Sequence, residues 1–353
     1  MMIRVLIVDD SRVVREVIKD LLDGTDVQVV GEASNGKEAI ELTKKLAPDL
    51  VTMDVMMPVM DGLSAVEHIM AFTPTPILVL ASSIKRKDVN IAFEAIQLGA
   101  LDVMEKPENL SREGFVALRD TLLQKIRLLS NIKVISHLKG KRKFAPPVVP
   151  KELPRAKEPI TGILAIGAST GGPRAVMNIL KALPTNFPLG AALVQHIGAS
   201  FTAGFVDWLA QECKLQVKLA KDGDEVVPGT VFVGPGNAHM EIEENVVHLT
   251  DAPPVNNCKP SVDVLFKSVA RSYGSQALAV LLTGMGRDGA EGMAEIKKMK
   301  GLNIVQDEKT SVIFGMPKAA IELGVVDKVI PLNDIPNEIM RIVRNRYGKD
   351  SGN

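Results

Sequence analysis

Cysteine is almost missing. Cys213 and Cys258 are the two cysteines in 353 residues, with no metal-ligand spacing and no disulfide framework between them. They read as isolated reduced thiols. Neither sign of charge is in excess, since Lys+Arg and Asp+Glu number 42 each. No global field therefore steers the chain toward nucleic acid or an anionic membrane. No apolar run approaches the roughly 18 residues that a membrane helix needs. The opening run Ile3–Val8 ends at once in Asp9-Asp10, so it reads as a strand and not as a secretory signal. A soluble, cytoplasmic chain is the expectation. What is plentiful is apolar residue, 46% of the total, enough for sizeable cores, and the length suggests two domains.

From Ile3 to about Ser130, short apolar runs alternate with helical patterns. Strands are predicted at Ile3–Val8, Val27–Gly31, Leu50–Met53, Ile77–Ala81 and Leu101–Met104. Helices are predicted to start near Ser11, Asn35, Gly62, Lys87 and Ser111. Such alternation predicts a parallel sheet covered on both faces. Its strand ends carry Asp9 and Asp10, Asp54, Ser82, and Lys106-Pro107. In a parallel sheet these ends share one edge, so three carboxylates, a hydroxyl and an ammonium converge. Clustered carboxylates repel unless a cation intervenes, and hard oxygen donors favour Mg²⁺. One carboxylate is then placed to attack phosphorus, with the metal and the lysine neutralising phosphoryl oxygens.

These residues, together with the run Met53-Asp54-Val55-Met56-Met57-Pro58 and Asp61-Gly62, resemble the receiver domain of two-component response regulators. The resemblance implies a flavodoxin-like fold over residues 1–130, with Asp54 as phospho-acceptor. It implies Asp10, Asp54 and the Met56 carbonyl as Mg²⁺ ligands, with Asp9 binding the ion through water. Ser82 would move to the aspartyl phosphate and Lys106 would pair with it. Val103 stands three residues before Lys106, where receivers often carry an aromatic switch residue.

Between residues 131 and 160 the periodicity fails. Lys139-Gly140-Lys141-Arg142-Lys143 is basic, and Pro146, Pro147, Pro150, Pro154 and Pro159 follow closely. A segment of this composition buries no core and reads as a Pro/Lys-rich linker.

The strand–helix alternation resumes over 161–347. Strands are expected at Ile163–Gly167, Ala191–Gln195, Val217–Leu219, Ala277–Thr283 and Asn303–Gln306. Shorter ones are expected at Thr230–Val233, Met240–Ile242 and Val246–Leu249, the last two as a hairpin turning at Glu243-Glu244-Asn245. Helices fit after Pro173, Ser200, Gly289 and Pro317, over Ser261–Ser272, and from Asn333 onward. The stretch Gly167-Ala168-Ser169-Thr170-Gly171 has the G-x-S-x-G spacing of a nucleophile elbow between strand and helix. Alone it leaves open a tight turn or a phosphate cradle, although neither a P-loop lysine nor the G-x-G-x-x-G spacing is present. Two further strand ends bear His196 and, beyond Leu282-Thr283-Gly284-Met285-Gly286-Arg287, Asp288. Serine, histidine and aspartate on neighbouring strand ends can supply nucleophile, general base and orienting carboxylate. Taken singly, His196 reads as a packed histidine and Asp288 as a cap for the helix after Gly289. His239 and His248 read as surface or hairpin residues. The order Ser–His–Asp is not that of an α/β-hydrolase.

The stretches GASTGGP, QHI, GPGNAHM, CKPSVDVLF, LLTGMGRDGA and QDEKTSVIFGMP resemble the chemotaxis protein-glutamate methylesterases. With the receiver in front, the resemblance spans essentially the whole chain. It implies a Rossmann-like, doubly wound, mainly parallel α/β catalytic domain. Ser169 would be the nucleophile, His196 the base and then the acid, and Asp288 the residue that orients His196. Backbone N–H groups near Thr170 and Met285 would form the oxyanion hole. The implied substrate is the glutamate γ-methyl ester on cytoplasmic helices of chemoreceptors, with glutamine deamidation by the same acyl transfer. A chemotaxis histidine kinase is the implied phosphodonor; no cofactor is expected for the ester step, and no nucleic acid or membrane insertion. Ile197-Gly198 stand where the family usually has Met-Pro. Two alternatives remain: a response regulator whose second domain is a non-catalytic binding module, and an intact catalytic domain that serves a different ester or amide.

Overall fold

The computed structural model describes residues 2–82, 86–106, 112–134 and 162–347, and the chain falls into two compact units, 1–143 and 144–353. Pro107, Ser111, the basic run 139–143 and the linker prolines lie outside the described residues. No helix among the described residues is long and apolar enough to cross a membrane.

The first unit alternates strand and helix throughout. In chain order it comprises β1 (Ile3–Val8), α1 (Arg12–Leu22), β2 (Val27–Ala33), α2 (Gly36–Leu46) and β3 (Leu50–Asp54). There follow α3 (Gly62–Phe72), β4 (Ile77–Ala81), α4 (Arg86–Leu98), β5 (Asp102–Glu105) and α5 (Arg112–Leu129). Its five strands run parallel in the order β2-β1-β3-β4-β5. β3 and β4 are buried along their whole length, as expected of apolar runs covered on both faces. Polar side chains set the helix starts: Ser11, Asn35 and Asp61 each accept a backbone N–H from the first turn of α1, α2 and α3, meeting donors that no helix satisfies internally. The strand ends at Asp9, Asp54, Ala81 and Glu105 thereby share the edge from which these loops depart.

The second unit comprises β6 (Ile163–Ala168), α6 (Gly172–Ala182), β7 (Gly190–Gln195), α7 (Ala199–Glu212), β8 (Gln216–Leu219) and β9 (Thr230–Val233). It continues with β10 (His239–Glu243), β11 (Val246–Thr250), α8 (Val262–Tyr273), β12 (Ala277–Leu281) and α9 (Ala290–Lys298). It closes with β13 (Leu302–Gln306), α10 (Met316–Glu322), β14 (Lys328–Ile330) and α11 (Ile335–Tyr347). Seven strands form a parallel sheet in the order β14-β13-β12-β6-β7-β9-β8, while β10 and β11 pair as a separate antiparallel hairpin. Glu244 and Asn245, with φ of 48° and 68°, make the hairpin's tight turn, a twist that suits the flanking strands. A core of Phe232, Met240, Ile242, Phe266, Val269 and Met293 locks hairpin, sheet and helices together.

Three expectations change. β14 is an addition to the expected strands, because Lys328–Ile330 is three residues long and begins with a lysine, too short an apolar run to stand out. β12 stops at Leu281 rather than Thr283, since the Thr283 amide turns away to the Gln306 side chain (2.9 Å). His239 lies in the hairpin as expected, yet it is fully buried and not at the surface.

β6 occupies the middle of the seven-stranded sheet. The chain leaves it toward β7 on one side and returns to it from β12 on the other. That reversal opens a crevice at the carboxyl ends of β6 and β12, the position where open α/β sheets hold their ligands.

Candidate active site and phosphorylation site

Ser169 follows β6 directly and is half-buried. Its amide donates to the Thr283 carbonyl (3.0 Å), and its own carbonyl accepts from the Gly172 amide (2.8 Å) and from Gln195 Nε2 (2.8 Å). Gly171 makes the turn with φ of 75° as it caps α6, a conformation costly for residues with a Cβ. Thr283 braces the same turn from β12, its hydroxyl donating to the Thr170 carbonyl (2.9 Å).

His196 follows β7, and its amide donates to Ala168 at the end of the neighbouring strand (2.9 Å). The buried Gln195 amide reaches both turns at once, bonding the carbonyls of Ser169 and His196 (2.8 and 3.1 Å). His196 Nε2 lies 2.9 Å from Asp288 Oδ2. Asp288 is ionised in this arrangement, so Nε2–H donates and the lone pair is left on Nδ1.

Asp288 does not cap α9, whose first residue follows Gly289 without a side-chain cap. It sits instead against the N-terminus of α8. Its oxygens accept from Ser261 Oγ (2.7 Å), the amides of Val262 (2.6 Å) and Asp263 (3.2 Å), and Asn256 Nδ2 (3.2 Å). A helix start offers unpaired N–H groups and the positive end of its dipole to an anion. Burial alone would raise the Asp288 carboxyl, but His196, Ser261 and the Val262 amide hold it below the usual carboxylate range. Burial opposes a charged His196, yet Asp288 and Cys258 beside it outweigh this and raise its pKa to about 9.

Of the expected oxyanion donors, Thr170 directly follows Ser169 and Met285 directly follows Gly284. Neither amide donates a hydrogen bond among the described residues. Gly284, just before Met285, approaches so closely that a Cβ there would stand 2.7 Å from Ser169 Cβ and 2.2 Å from Met316 Sδ. The segment 313–316 clamps this loop, with the amides of Gly315 and Met316 donating to the Gly284 carbonyl (3.0 and 2.9 Å).

Several residues of the site were given no role by the motif reading, although QHI and CKPSVDVLF contain Gln195, Cys258 and Ser261. Ser261, Asn256 and Gln195 are ordinary polar residues whose partners lie 26 to 32 positions away. Ser261, standing before an amphipathic run, carried the signal of a helix cap. Cys258 is not isolated in space: its Sγ lies 3.7 Å from His196 Nδ1. The turn Val255–Cys258 presents it, with Asn256 and Asn257 at φ of 52° and 60° and reciprocal backbone bonds between Val255 and Cys258 (3.1 and 2.9 Å).

In the first unit, oxygens of Asp9, Asp10 and Asp54 all lie within 4.8 Å of one another. Lys106 Nζ bridges Asp9 Oδ2 (2.9 Å) and Asp54 Oδ2 (2.8 Å). Burial raises the Asp54 carboxyl to about 6, with Lys106 opposing and Asp9 adding. Burial would lower Lys106, but Asp54 and Asp9 more than offset it and raise its pKa. One ammonium paired with two of three clustered carboxylates leaves negative charge uncompensated, and the all-oxygen donor set fits a hard divalent cation. The Met56 amide donates to Asp54 Oδ1 (3.2 Å), so the backbone at Met56 is folded back onto the acidic cluster. Ser82, half-buried, follows β4 on the same sheet edge. Val103 is buried in β5, and with no aromatic ring at that position the strand carries a packed aliphatic instead.

Two family models match the chain: the response regulator receiver domain over residues 5–113 and the CheB methylesterase domain over 164–339. A protein-glutamate methylesterase/protein-glutamine glutaminase of Anaeromyxobacter dehalogenans is 43% identical over 343 residues, covering 97% of each chain. One from Pyrococcus abyssi is 40% identical, covering 97% of this chain and 94% of its own. The crystal structure of the Thermotoga maritima CheB methylesterase catalytic domain, 40% identical, superposes with a TM-score of 0.51, covering 52% of this chain and all of that one.

Proposed function

Because the chain belongs to the family of response regulators that are protein-glutamate methylesterases and protein-glutamine glutaminases, we infer how its own residues carry that work. It is a phosphorylation-regulated hydrolase that demethylates glutamate γ-methyl esters of chemoreceptors and deamidates receptor glutamines. The domains we assign are a receiver over 1–130, a linker over 131–160 and a catalytic domain over 161–347. The chain works in the cytoplasm, on receptor cytoplasmic helices, with a chemotaxis histidine kinase as phosphodonor.

The observation that carries the catalytic assignment is the contact of the buried Asp288 carboxylate with the half-buried His196, on the segments that follow the two strands flanking β6. Ser169 Oγ attacks the ester carbonyl as its proton passes to the imidazole. Nε2 being held by Asp288, the nitrogen that accepts is Nδ1. The tetrahedral oxyanion takes the Thr170 and Met285 amides, donors that need no reorganisation at the moment of reaction. The imidazolium returns its proton to the leaving methoxide, and methanol departs. Water then gives a proton to His196 and its oxygen to the acyl carbon, restoring Ser169 and leaving glutamate. With a glutamine side chain the leaving group is ammonia.

Phosphorylation of a receiver domain depends on Mg²⁺, and here we assign Asp9 (through water), Asp10, Asp54 and the Met56 carbonyl to hold the ion. When bound, it supplies positive charge at the phosphoryl oxygens. Asp54 accepts the phosphoryl group, Lys106 exchanges its partner Asp54 for a phosphoryl oxygen, and Ser82 hydrogen-bonds another.

Two variants test these roles. Asp288→Asn should lower kcat for methanol release from methylated receptor by roughly 10⁴-fold, the scale seen when a triad carboxylate is lost. A loss under tenfold would remove Asp288 from the mechanism. Asp54→Ala should abolish stimulation by acetyl phosphate, and full stimulation of that variant would displace Asp54 as phospho-acceptor.

A further inference from the structure

We propose that His196 and Cys258 form a binding site for a thiophilic divalent metal such as Zn²⁺, and that occupancy shuts off acyl transfer by taking the lone pair of the general base. The inference rests on the reading of His196 as that base. His196, Cys258 and Asp288 bring donor atoms within 4.8 Å of one another, and the three divide into two ligands and one support. Zinc bonds sulfur at about 2.3 Å and imidazole nitrogen at about 2.0–2.1 Å, so two such ligands at a tetrahedral angle stand about 3.6 Å apart. The observed Cys258 Sγ to His196 Nδ1 separation is 3.7 Å. The separation of the two ligand atoms is thus already close to the one a zinc ion spans.

Asp288 acts from behind the ring. A metal-binding histidine typically donates its other N–H to a carboxylate, which fixes the tautomer and raises ligand basicity. Asp288 Oδ2 holds Nε2–H at 2.9 Å and is itself buried and fixed by α8, so the Nδ1 lone pair is directed away from it. Cys258 is held by the tight turn Val255–Cys258 and donates its S–H toward the Asn256 carbonyl at 3.4 Å. Both ligands are half-buried, leaving the remaining coordination positions to water. Binding forms one S–Zn and one N–Zn bond and releases the thiol proton, with a second proton when the ring starts as imidazolium. The other cysteine cannot substitute, since burial pushes the Cys213 thiol up to about 12 and its Sγ contacts Met177 Sδ (3.9 Å).

The test uses Co²⁺ and Zn²⁺ with the full chain. Cobalt should produce a near-ultraviolet thiolate-to-metal charge-transfer band that is lost in Cys258→Ala, where Cys213 is still present. The receiver carboxylates cannot produce that band, having no sulfur. Asp288→Asn should weaken cobalt binding by about 10- to 100-fold, the usual effect of losing a partner behind a ligand. Zinc should slow methanol release by the wild type, reversibly with chelator, and leave Cys258→Ala at its own zinc-free rate. A cobalt band that survives in Cys258→Ala, no band in the wild type, or equal zinc inhibition of both proteins overturns the site. Cobalt binding is read without turnover, so a band in a protein that releases no methanol even when metal-free would keep the site and sink the esterase reading instead.

Discussion

Gly284 and Gly198 differ in what a side chain would meet. A Cβ on Gly284 would press on Met316 Sδ and Ser169 Cβ, and Met316 is fully buried. Gly284→Ala should cost about 1–3 kcal/mol through overpacking and lower kcat for methanol release roughly 100-fold through displacement of the nucleophile. Denaturation and initial rates read both, and an unaltered kcat would contradict the close approach. Gly198 is exposed, with φ of −57° and ψ of 143° ahead of α7, and its nearest neighbour to an added Cβ is Ser200 Oγ at 3.7 Å. That geometry accepts proline, so Gly198→Pro should stabilise the chain by about 0.4–1 kcal/mol by restricting the unfolded state; a lower midpoint in urea would count against it. His196 makes a pH prediction. Its pKa is raised from 6.5 to about 9, so its stabilising contribution is full below the unfolded value and is lost as pH rises through the folded one. Under the role proposed for His196 activity runs the other way, because a general base must be neutral. The acid limb of kcat/KM should lie above 6.5 and move down in Cys258→Ala; a limb at or below 6.5 in the parent would refute the pairing. Ser169, His196 and Asp288 were marked as candidates by their glycine-rich or strand-end settings, and the structure pairs His196 with Asp288. The place of Cys258 beside His196 was not legible, since 62 residues separate the two.

At the scale of elements, helix α8 is the part that fixes the carboxylate of the site. Its cap Ser261 donates its hydroxyl to Asp288 and offers that oxygen to Val264 N, while its amide donates to His239 Nδ1 (3.1 Å). His239 Nε2 in turn bonds the Pro253 carbonyl (3.1 Å), so this buried histidine ties hairpin, turn and helix together. Ser261→Ala should cost about 0.5–2 kcal/mol as a lost cap, and kcat should fall while KM holds, because Asp288 loses a donor. If kcat is unchanged, α8 does not position the carboxylate. Strand–helix alternation was readable throughout both units, as periodic apolar runs bounded by Asp, Asn, Ser and Gly. The burial of His239 was hidden because a histidine in a polar hairpin strand carries no local mark of the helix packed over it. The end of β12 was hidden for a related reason: Thr283 leaves the ladder for Gln306 and Ile313, side-chain and loop partners 23 and 30 residues on.

For the whole molecule, the receiver family model matches one unit and the methylesterase model the other, so control needs the full chain. The receiver's charge cluster and the esterase crevice each sit at the carboxyl edge of a parallel sheet, which is why strand ends were the informative positions in both halves. The most direct measurement is methanol release from methylated receptor membranes by the full chain, with and without acetyl phosphate and Mg²⁺, beside Ser169→Ala. The account predicts release that rises with phosphodonor and disappears in the variant. Release that persists in Ser169→Ala, or an absence of release from the parent chain under both conditions, would contradict it.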